Sequence, residues 1–231
     1  MSTKPGLIFQ HGSAGPPVRV GEWLSSRGLP FVVHHAGTDP AVAPADFSFV
    51  VSLGSQHSAA ADDPAWVPEE IAALREAVDA GVPVLGLCFG GQALSLALGG
   101  GVDALARPEI GWFAVETVDD AVPAGPWLMM HTEQMRVPPG GVELARSPAG
   151  PAAFSHGPHL GVQFHPEVDV ERVEVWARTD PGLAAVGLTP GELVAQSAQH
   201  APAAREQAFR LFDQWLAGAL NGRVAASSDA G

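Results

Sequence analysis

Residues 84–93, VLGLCFGGQA, contain the only cysteine of the chain and decide the predicted fold. The apolar start of this segment predicts a buried strand, and residues 92–98 predict a helix behind it. Gly86 and Gly90 lie two residues before and two residues after Cys88. This spacing is typical of a nucleophile elbow, a strand-to-helix turn too tight for side chains at the flanking positions. We therefore predict that Cys88 is exposed to substrate at the carboxyl end of a strand.

A packed core residue is the alternative interpretation of Cys88, because most lone cysteines are small hydrophobic side chains in a core. The two flanking glycines favour the elbow, since a packed cysteine does not need them. The helix that follows would also direct its first amides and its dipole at the sulfur, which favours a thiolate.

Residues 161–167, GVQFHPE, contain the base and the orienting group that such a nucleophile requires. Residues two apart in an extended chain point in the same direction, so Glu167 can reach the ring of His165 and hold its tautomer. His165 can then take or share the proton of Cys88, as in covalent catalysis. His-x-Glu alone is more often a surface pair. Together with the elbow it predicts a Cys-His-Glu triad.

The elbow at 86–92 and the segment FHPE at 164–167 resemble the class I, triad-type glutamine amidotransferases, which include the glutaminase module of GMP synthetases. The resemblance runs from about residue 7 to residue 167. Over this range the sequence is similar to stand-alone members of the family. It implies a flavodoxin-like α/β fold with a mostly parallel central sheet. It also implies hydrolysis of the glutamine side-chain amide.

The pattern of strands and helices along the chain agrees with an α/β fold, because the two alternate up to the elbow. Short apolar runs separated by Pro and Gly follow and predict a small antiparallel or mixed extension. We expect one domain at 1–223 and a disordered tail at 224–231. The predicted strands are 7–10, 31–34, 47–53, 84–87, 112–118, 127–131, 142–146, 152–155 and 160–164. The predicted helices are 18–27, 68–80, 92–98, 168–178, 190–200 and 203–219.

Composition restricts the location and the class of protein. A chain of 231 residues with 46% hydrophobic content can bury the core of one large domain. It has no run of eighteen apolar residues and no signal-peptide core at its start, so we expect no membrane association. A single cysteine excludes an internal disulfide and suits a reducing compartment. The expected location is the cytoplasm.

Charge and residue usage exclude several kinds of chemistry. A net charge of −13 argues against a nucleic-acid partner. Lys4 is the only lysine, so the chain lacks both a phosphate-binding loop and an interior Schiff-base lysine. The histidine pairs 34–35 and 156/159 lack the other ligands of a metal site, and we expect no metal and no cofactor. An ATP-driven step would belong to another chain.

The family resemblance implies further site residues. Gly54 matches the glycine whose N–H faces the substrate carbonyl, and Phe89 N–H would be the second oxyanion donor. Gln92 matches a residue that contacts the substrate glutamine. Ser55 and His131 are added as substrate-binding residues, with simple packing as the alternative for His131. The chain departs from the family at Ser55-Gln56-His57, where Gly or Pro is usual, and this changes the oxyanion loop.

Three functions remain open from the sequence. The first is a glutaminase that forms a γ-glutamyl thioester on Cys88 and supplies ammonia to a separate synthetase or aminating enzyme. The second is a γ-glutamyl peptidase or amidase with the same Cys88, His165 and Glu167. The third is a non-catalytic regulatory homologue.

Overall fold

The computed structural model describes residues 4–118 and 120–228, with side chains up to residue 219. Within them, an eight-stranded sheet and a two-stranded sheet are formed. The strands are β1 (Gly6–Gln10), β2 (Phe31–His35), β3 (Val50–Ser52), β4 (Val84–Leu87), β5 (Val102–Phe113), β6 (Glu116–Thr117), β7 (Trp127–Met135), β8 (Val142–Ser147), β9 (Gly150–His156) and β10 (His159–Val162). The helices are α1 (Val18–Ser26), α2 (Trp66–Asp79), α3 (Phe89–Ala97), α4 (Val170–Thr179), α5 (Leu183–Val186) and α6 (Pro190–Ser228), besides a 3-10 turn at Pro44–Asp46.

The larger sheet has the order β2-β1-β3-β4-β10-β9-β8-β6. Its first five strands are parallel, with β4 between β3 and β10. In register, Gly86 lies beside Ser52 on one side and beside Gly161 on the other. The loops after β3, β4 and β10 therefore leave the sheet at the same carboxyl edge, where ligands bind in open parallel sheets. This confirms the predicted mostly parallel α/β fold.

Both faces of the parallel strands are covered, because successive side chains point to opposite faces. Ile8 belongs to a core cluster with residues of α1 and α6, including Trp23 and Phe212. Its neighbours Leu7 and Phe9 belong to a second cluster with residues of α2 and α3. The sheet is thus the middle layer of three, which explains its nearly continuous apolar strands.

The strand extension differs from the prediction in one respect. Strands β9, β8 and β6 extend the large sheet in antiparallel fashion, as expected. Strand β5, however, pairs with β7 in a separate two-stranded sheet, and the predicted strand 112–118 divides between β5 and β6. Residues 103–109 of β5 include charged side chains and Pro108, and the register of the strand shifts between Ala104 and Glu109. This part of the strand therefore lacks the apolar alternation by which strands are recognised in a sequence.

The C-terminal helices 190–200 and 203–219 were predicted as separate, and the structure joins them into α6 with Pro202 inside. A proline removes one helical hydrogen bond, so an interruption was the reasonable expectation. Packing of α6 against α1 and α4 accompanies its continuity, and the Arg19 guanidinium donates to the Ala201 carbonyl at 3.2 Å. The backbone of α6 extends through Ser228, while residues 229–231 of the predicted tail lie outside the described residues. In the described ranges no helix is both long and apolar enough to cross a membrane.

Candidate active site

Cys88 occupies the turn between β4 and α3 as the N-cap of that helix. Its backbone has φ 51° and ψ −105°, a conformation that non-glycine residues rarely adopt. A Cβ atom on Gly86 would overlap the carbonyl of Gly90, and one on Gly90 would overlap the carbonyl of Ser52. On Gly91 it would lie 2.5 Å from the Val162 carbonyl oxygen. The turn is therefore the tight elbow expected from the glycine spacing.

His165 and Glu167 reach the elbow from the loop after β10. The Nδ1–H of His165 donates to Glu167 Oε1 at 2.8 Å, and both side chains are about 5% exposed or less. With Nδ1 occupied, Nε2 is the ring nitrogen left for the Cys88 side chain, which lies close enough to His165 to influence its charge. The Trp176 ring packs edge-on against the imidazole at 4.9 Å between centroids. The structure thus brings the three predicted triad residues together.

The environment of His165 stabilises its charged form. Burial opposes protonation, but the interactions with the Cys88 and Glu167 side chains outweigh it, so the pKa of His165 is raised well above its ordinary value. An imidazolium beside a thiolate is the ion pair that makes a cysteine nucleophilic near neutral pH.

Gly54 and Phe89, the predicted oxyanion donors, both lie beside the nucleophile. A Cβ atom on Gly54 would be 2.8 Å from His165 Cε1 and 3.8 Å from Cys88 Cβ. Phe89 follows Cys88 directly as the first residue of α3. Within the described residues, neither of their N–H groups is paired with a backbone carbonyl. Unpaired amides beside the reacting sulfur are what an oxyanion hole requires.

A cavity of about 400 Å³ lies beside His165 and Gly54. Cys88 is 5% exposed and does not line this cavity, so the sulfur is less exposed than the elbow spacing predicted. The cavity lining includes Gly54, Ser55, His165, Trp176 and Asp180, with no lysine or arginine. The Ser55 hydroxyl accepts a hydrogen bond from the His57 N–H at 3.1 Å, which shapes the loop of Ser55, Gln56 and His57.

Gln92 and His131 do not line this cavity. Gln92 is 4% exposed, and its Nε2 donates to the Glu133 carbonyl at 2.8 Å. His131 donates from Nδ1 to the same carbonyl at 3.0 Å and pairs through Nε2 with Glu109 at 2.9 Å. Their contact with substrate stays a prediction.

Glu109, for which the sequence indicated no role, is the centre of a buried polar cluster. It accepts hydrogen bonds from His131, from the Ser147 hydroxyl at 2.8 Å and from the Ala149 N–H at 3.1 Å. Burial opposes ionisation of this carboxyl, but the three donors outweigh it and the pKa of Glu109 is lowered.

Two further polar residues at the site were not found from the sequence. Gln163 is fully buried, and its Nε2 donates to Cys88 Sγ at 3.7 Å. The only sequence signal for it is a polar residue inside the apolar run before His165. His11 contacts the Gly54 carbonyl and pairs with Glu70, 59 residues away. No local pattern connects those two residues.

Among residues 4–118 and 120–228, no three potential ligand side chains are grouped so as to hold a metal ion.

Comparison with known proteins agrees with this geometry. The family profile described as Glutamine amidotransferase class-I matches residues 50–174, more than half of the chain. The glutamine-hydrolyzing GMP synthase of Thermomicrobium roseum is 40% identical over 114 residues, which are 46% of this chain and 20% of the relative. That of Alkalilimnicola ehrlichii is 34% identical over 155 residues, 58% of this chain and 28% of the relative. The matches therefore span less than a third of these relatives.

Solved structures resemble most of the chain. A glutamine amidotransferase from Methylobacillus flagellatus superposes with a TM-score of 0.84 at 28% identity, covering 94% of this chain and 96% of that one. A Thermotoga maritima glutamine amidotransferase, at 21% identity and a TM-score of 0.83 over 93% and 99% of the two chains, shows the same fold. On the profile match, the triad geometry and this fold, the chain belongs to the class I glutamine amidotransferase family.

Proposed function

We propose that the protein is a glutaminase that hydrolyses the side-chain amide of glutamine and supplies ammonia to a separate acceptor enzyme. The observation that carries this proposal is the convergence of Cys88, His165 and Glu167 beside the free amides of Gly54 and Phe89. Nucleophile, base, orienting group and oxyanion donors are the parts that acyl transfer requires.

The first half of the reaction forms a thioester. The Cys88 thiolate attacks the amide carbon of glutamine, and the resulting oxyanion accepts hydrogen bonds from the N–H groups of Gly54 and Phe89. The His165 imidazolium then gives its proton to the departing nitrogen. The C–N bond breaks, ammonia leaves, and a γ-glutamyl thioester remains on the sulfur.

The second half of the reaction restores the enzyme. His165, now neutral, removes a proton from water, and the hydroxide attacks the thioester carbon. Collapse of the second oxyanion breaks the C–S bond, releasing glutamate and the Cys88 thiolate. Glu167 accepts the Nδ1–H throughout, which keeps Nε2 directed at the sulfur.

We assign substrate recognition to residues close to the elbow. We place the glutamine side chain against Cys88, with Gln92, Ser55 and His131 contacting the substrate. Ser55 lines the cavity. Gln92 and His131 would contribute only after exchanging their hydrogen bonds to the Glu133 carbonyl for bonds to the substrate.

An acceptor enzyme is part of the proposal. The relatives are named glutamine-hydrolyzing GMP synthases, and this chain matches only a minor part of their length. We assign the use of the ammonia to a synthetase or aminating subunit. We place the protein in the cytoplasm, where its single thiol stays reduced, and assign it neither a nucleic-acid nor a membrane partner.

A γ-glutamyl peptidase or amidase is the second candidate, since it needs the same triad. The size of the cavity favours it. Besides the triad histidine, the lining includes Trp176 and Asp180, which leaves room for a leaving amine larger than ammonia.

The test is glutamate release by the purified protein from glutamine and from γ-glutamyl peptides, with and without proteins that co-purify with it. We expect C88A to abolish release and E171Q, an exposed change on α4, to leave it intact. A glutamine-like diazoketone should add one label per chain, because Cys88 is the only cysteine. Release by C88A would contradict the mechanism. If the protein cleaves neither substrate and its thiol reacts no faster than a free one, the non-catalytic alternative is correct.

A further inference from the structure

A second buried histidine–carboxylate pair lies beside the triad. His11 Nε2 is 2.6 Å from Glu70 Oε2, and the two side chains are 1% and 2% exposed. The other oxygen of Glu70 accepts the Ser52 hydroxyl at 2.6 Å. Buried ionisable groups are costly unless they are paired, and none of these three residues takes part in the proposed chemistry.

The ring of His11 contacts both predicted oxyanion residues. Its Nδ1 lies 3.0 Å from the Gly54 carbonyl oxygen, and its ring packs edge-on against the Phe89 ring at 4.7 Å. The other face stacks on Trp66 at 4.8 Å, which restrains the ring. Because a carbonyl only accepts, Nδ1 must carry a proton, and Nε2 is left to share a proton with Glu70.

The hydrogen bond to Gly54 restrains one of the two peptide planes around this glycine. The plane before it is held by the Gly90 N–H, which donates to the Leu53 carbonyl at 3.2 Å. In a trans peptide the N–H points away from the carbonyl, so this bond directs the Gly54 N–H. The Gly54–Ser55 peptide is held by His11, which donates to the Gly54 carbonyl. The Ser55 N–H of this peptide therefore points away from the imidazole.

This restraint is needed because the backbone here is intrinsically free. Gly54 has no Cβ atom, and the following residue is Ser55 rather than a proline that would restrict it. A side chain on Gly54 would collide with His165, so glycine cannot be replaced to stiffen the loop.

We propose that His11, supported by Glu70 and Ser52, is a positioning residue. By holding the Gly54–Ser55 peptide it restrains the backbone of Gly54, whose N–H, in the preceding peptide, is the predicted oxyanion donor. The inference rests on the proposed function for its effect on rate. His11 acts through Gly54 and touches no reacting atom.

Two variants separate the contacts of the ring. The amide nitrogen of H11N can take the place of Nδ1 and keep the bond to Gly54, whereas H11Q places its amide near Nε2 and keeps only Glu70. We expect H11Q to lower kcat for glutamine about tenfold to a hundredfold with little change in KM, less than full loss of an oxyanion donor. H11N should recover most of that loss.

Alkylation of Cys88 by iodoacetamide is the matched readout, because this displacement develops no oxyanion. Its rate should be equal in the wild type, H11N and H11Q. A parallel fall of alkylation and kcat would show a general disturbance of the site and overturn the proposal, as would wild-type kcat in H11Q.

Crystal structures of H11Q and H11N test the inference without any turnover. We expect the Gly54–Ser55 peptide to rotate in H11Q and to keep its orientation in H11N. An unchanged peptide in H11Q overturns the inference whatever the activity. If the wild type releases no glutamate from any γ-glutamyl compound, the proposed function fails, and the crystal structures still decide the role of His11.

Discussion

The side-chain amide of Gln163 donates to the sulfur of Cys88 across 3.7 Å. Its oxygen accepts the Met135 N–H at 3.1 Å, and this bond determines which end of the amide faces the thiol. Gln92 Nε2 lies 3.5 Å from the same oxygen. The sulfur therefore accepts a hydrogen bond from Gln163 and lies near the ring of His165, and a negative charge on it is favoured by both side chains.

Replacing Gln163 with methionine should weaken the nucleophile, because the variant keeps the approximate side-chain volume and removes the donor. A hydrogen bond to a charged group contributes about 1.5–3 kcal/mol, so kcat should fall about tenfold to a hundredfold. The rate of Cys88 alkylation at neutral pH should fall with it. Q214M, at an exposed position on α6, is the control. An alkylation rate in Q163M equal to that of the wild type would show that Gln163 does not stabilise the thiolate of Cys88.

Replacing Glu167 with glutamine should change both the rate and its pH dependence. Loss of the orienting carboxylate should lower kcat by about 10²–10⁴, the range of general acid–base catalysis. The pKa of His165 is raised, so its proton is present at neutral pH and is lost as pH rises through that elevated value. Without the Glu167 charge this pKa falls, and the alkaline limb of the pH–kcat profile should move to lower pH. An unmoved limb would show that Glu167 does not tune His165.

The elbow should not tolerate a methyl group at Gly90. A Cβ there overlaps the Ser52 carbonyl, so we expect G90A to lower the free energy of unfolding by about 3 kcal/mol or more and to abolish glutamate release. G218A is the matched change, because a Cβ at this helical position meets no atom within 4 Å. It should stabilise the protein by about 0.5–1 kcal/mol. Urea titrations followed by circular dichroism measure both. Equal stability of the two variants would be inconsistent with the turn described.

Replacing Glu109 with glutamine should reduce stability in a pH-dependent way. Removing the carboxylate that accepts hydrogen bonds from His131, Ser147 and Ala149 is expected to cost about 1.5–3 kcal/mol near neutral pH. Because the pKa of Glu109 is lowered, its stabilising effect is complete above the ordinary value of 4.5 and disappears as pH falls through the folded-state value. The difference between wild type and E109Q should therefore shrink in acid. A difference independent of pH would show that the carboxylate charge is not responsible.

The same variant tests the predicted role of His131. If His131 only packs, E109Q should change the KM for glutamine little while it lowers the unfolding free energy. A several-fold rise in KM at pH values where the variant stays folded would support a contact between His131 and substrate. H131N, which can keep the bond to the Glu133 carbonyl and loses Glu109, serves as the comparison.

The spacing of residues along the sequence was sufficient to predict the elbow at Cys88 and the pairing of His165 with Glu167. The glycines on either side of Cys88 and the two-residue step from His165 to Glu167 act over a few bonds, so chain geometry alone sets their arrangement. The apolar strands of the parallel sheet were equally clear, since a strand covered on both faces must be apolar throughout.

Tertiary structure alone decided the remaining features, because they depend on contacts between distant segments. Strand β5 has the charged residues Asp103 and Arg107 in its first half and is held by its pairing with β7. Helix α6 continues through Pro202 where α1 and α4 pack against it. His11 meets Glu70 across 59 residues only after β1 and α2 assemble on the sheet. The side-chain types of such pairs are visible in a sequence, but their register and packing are not.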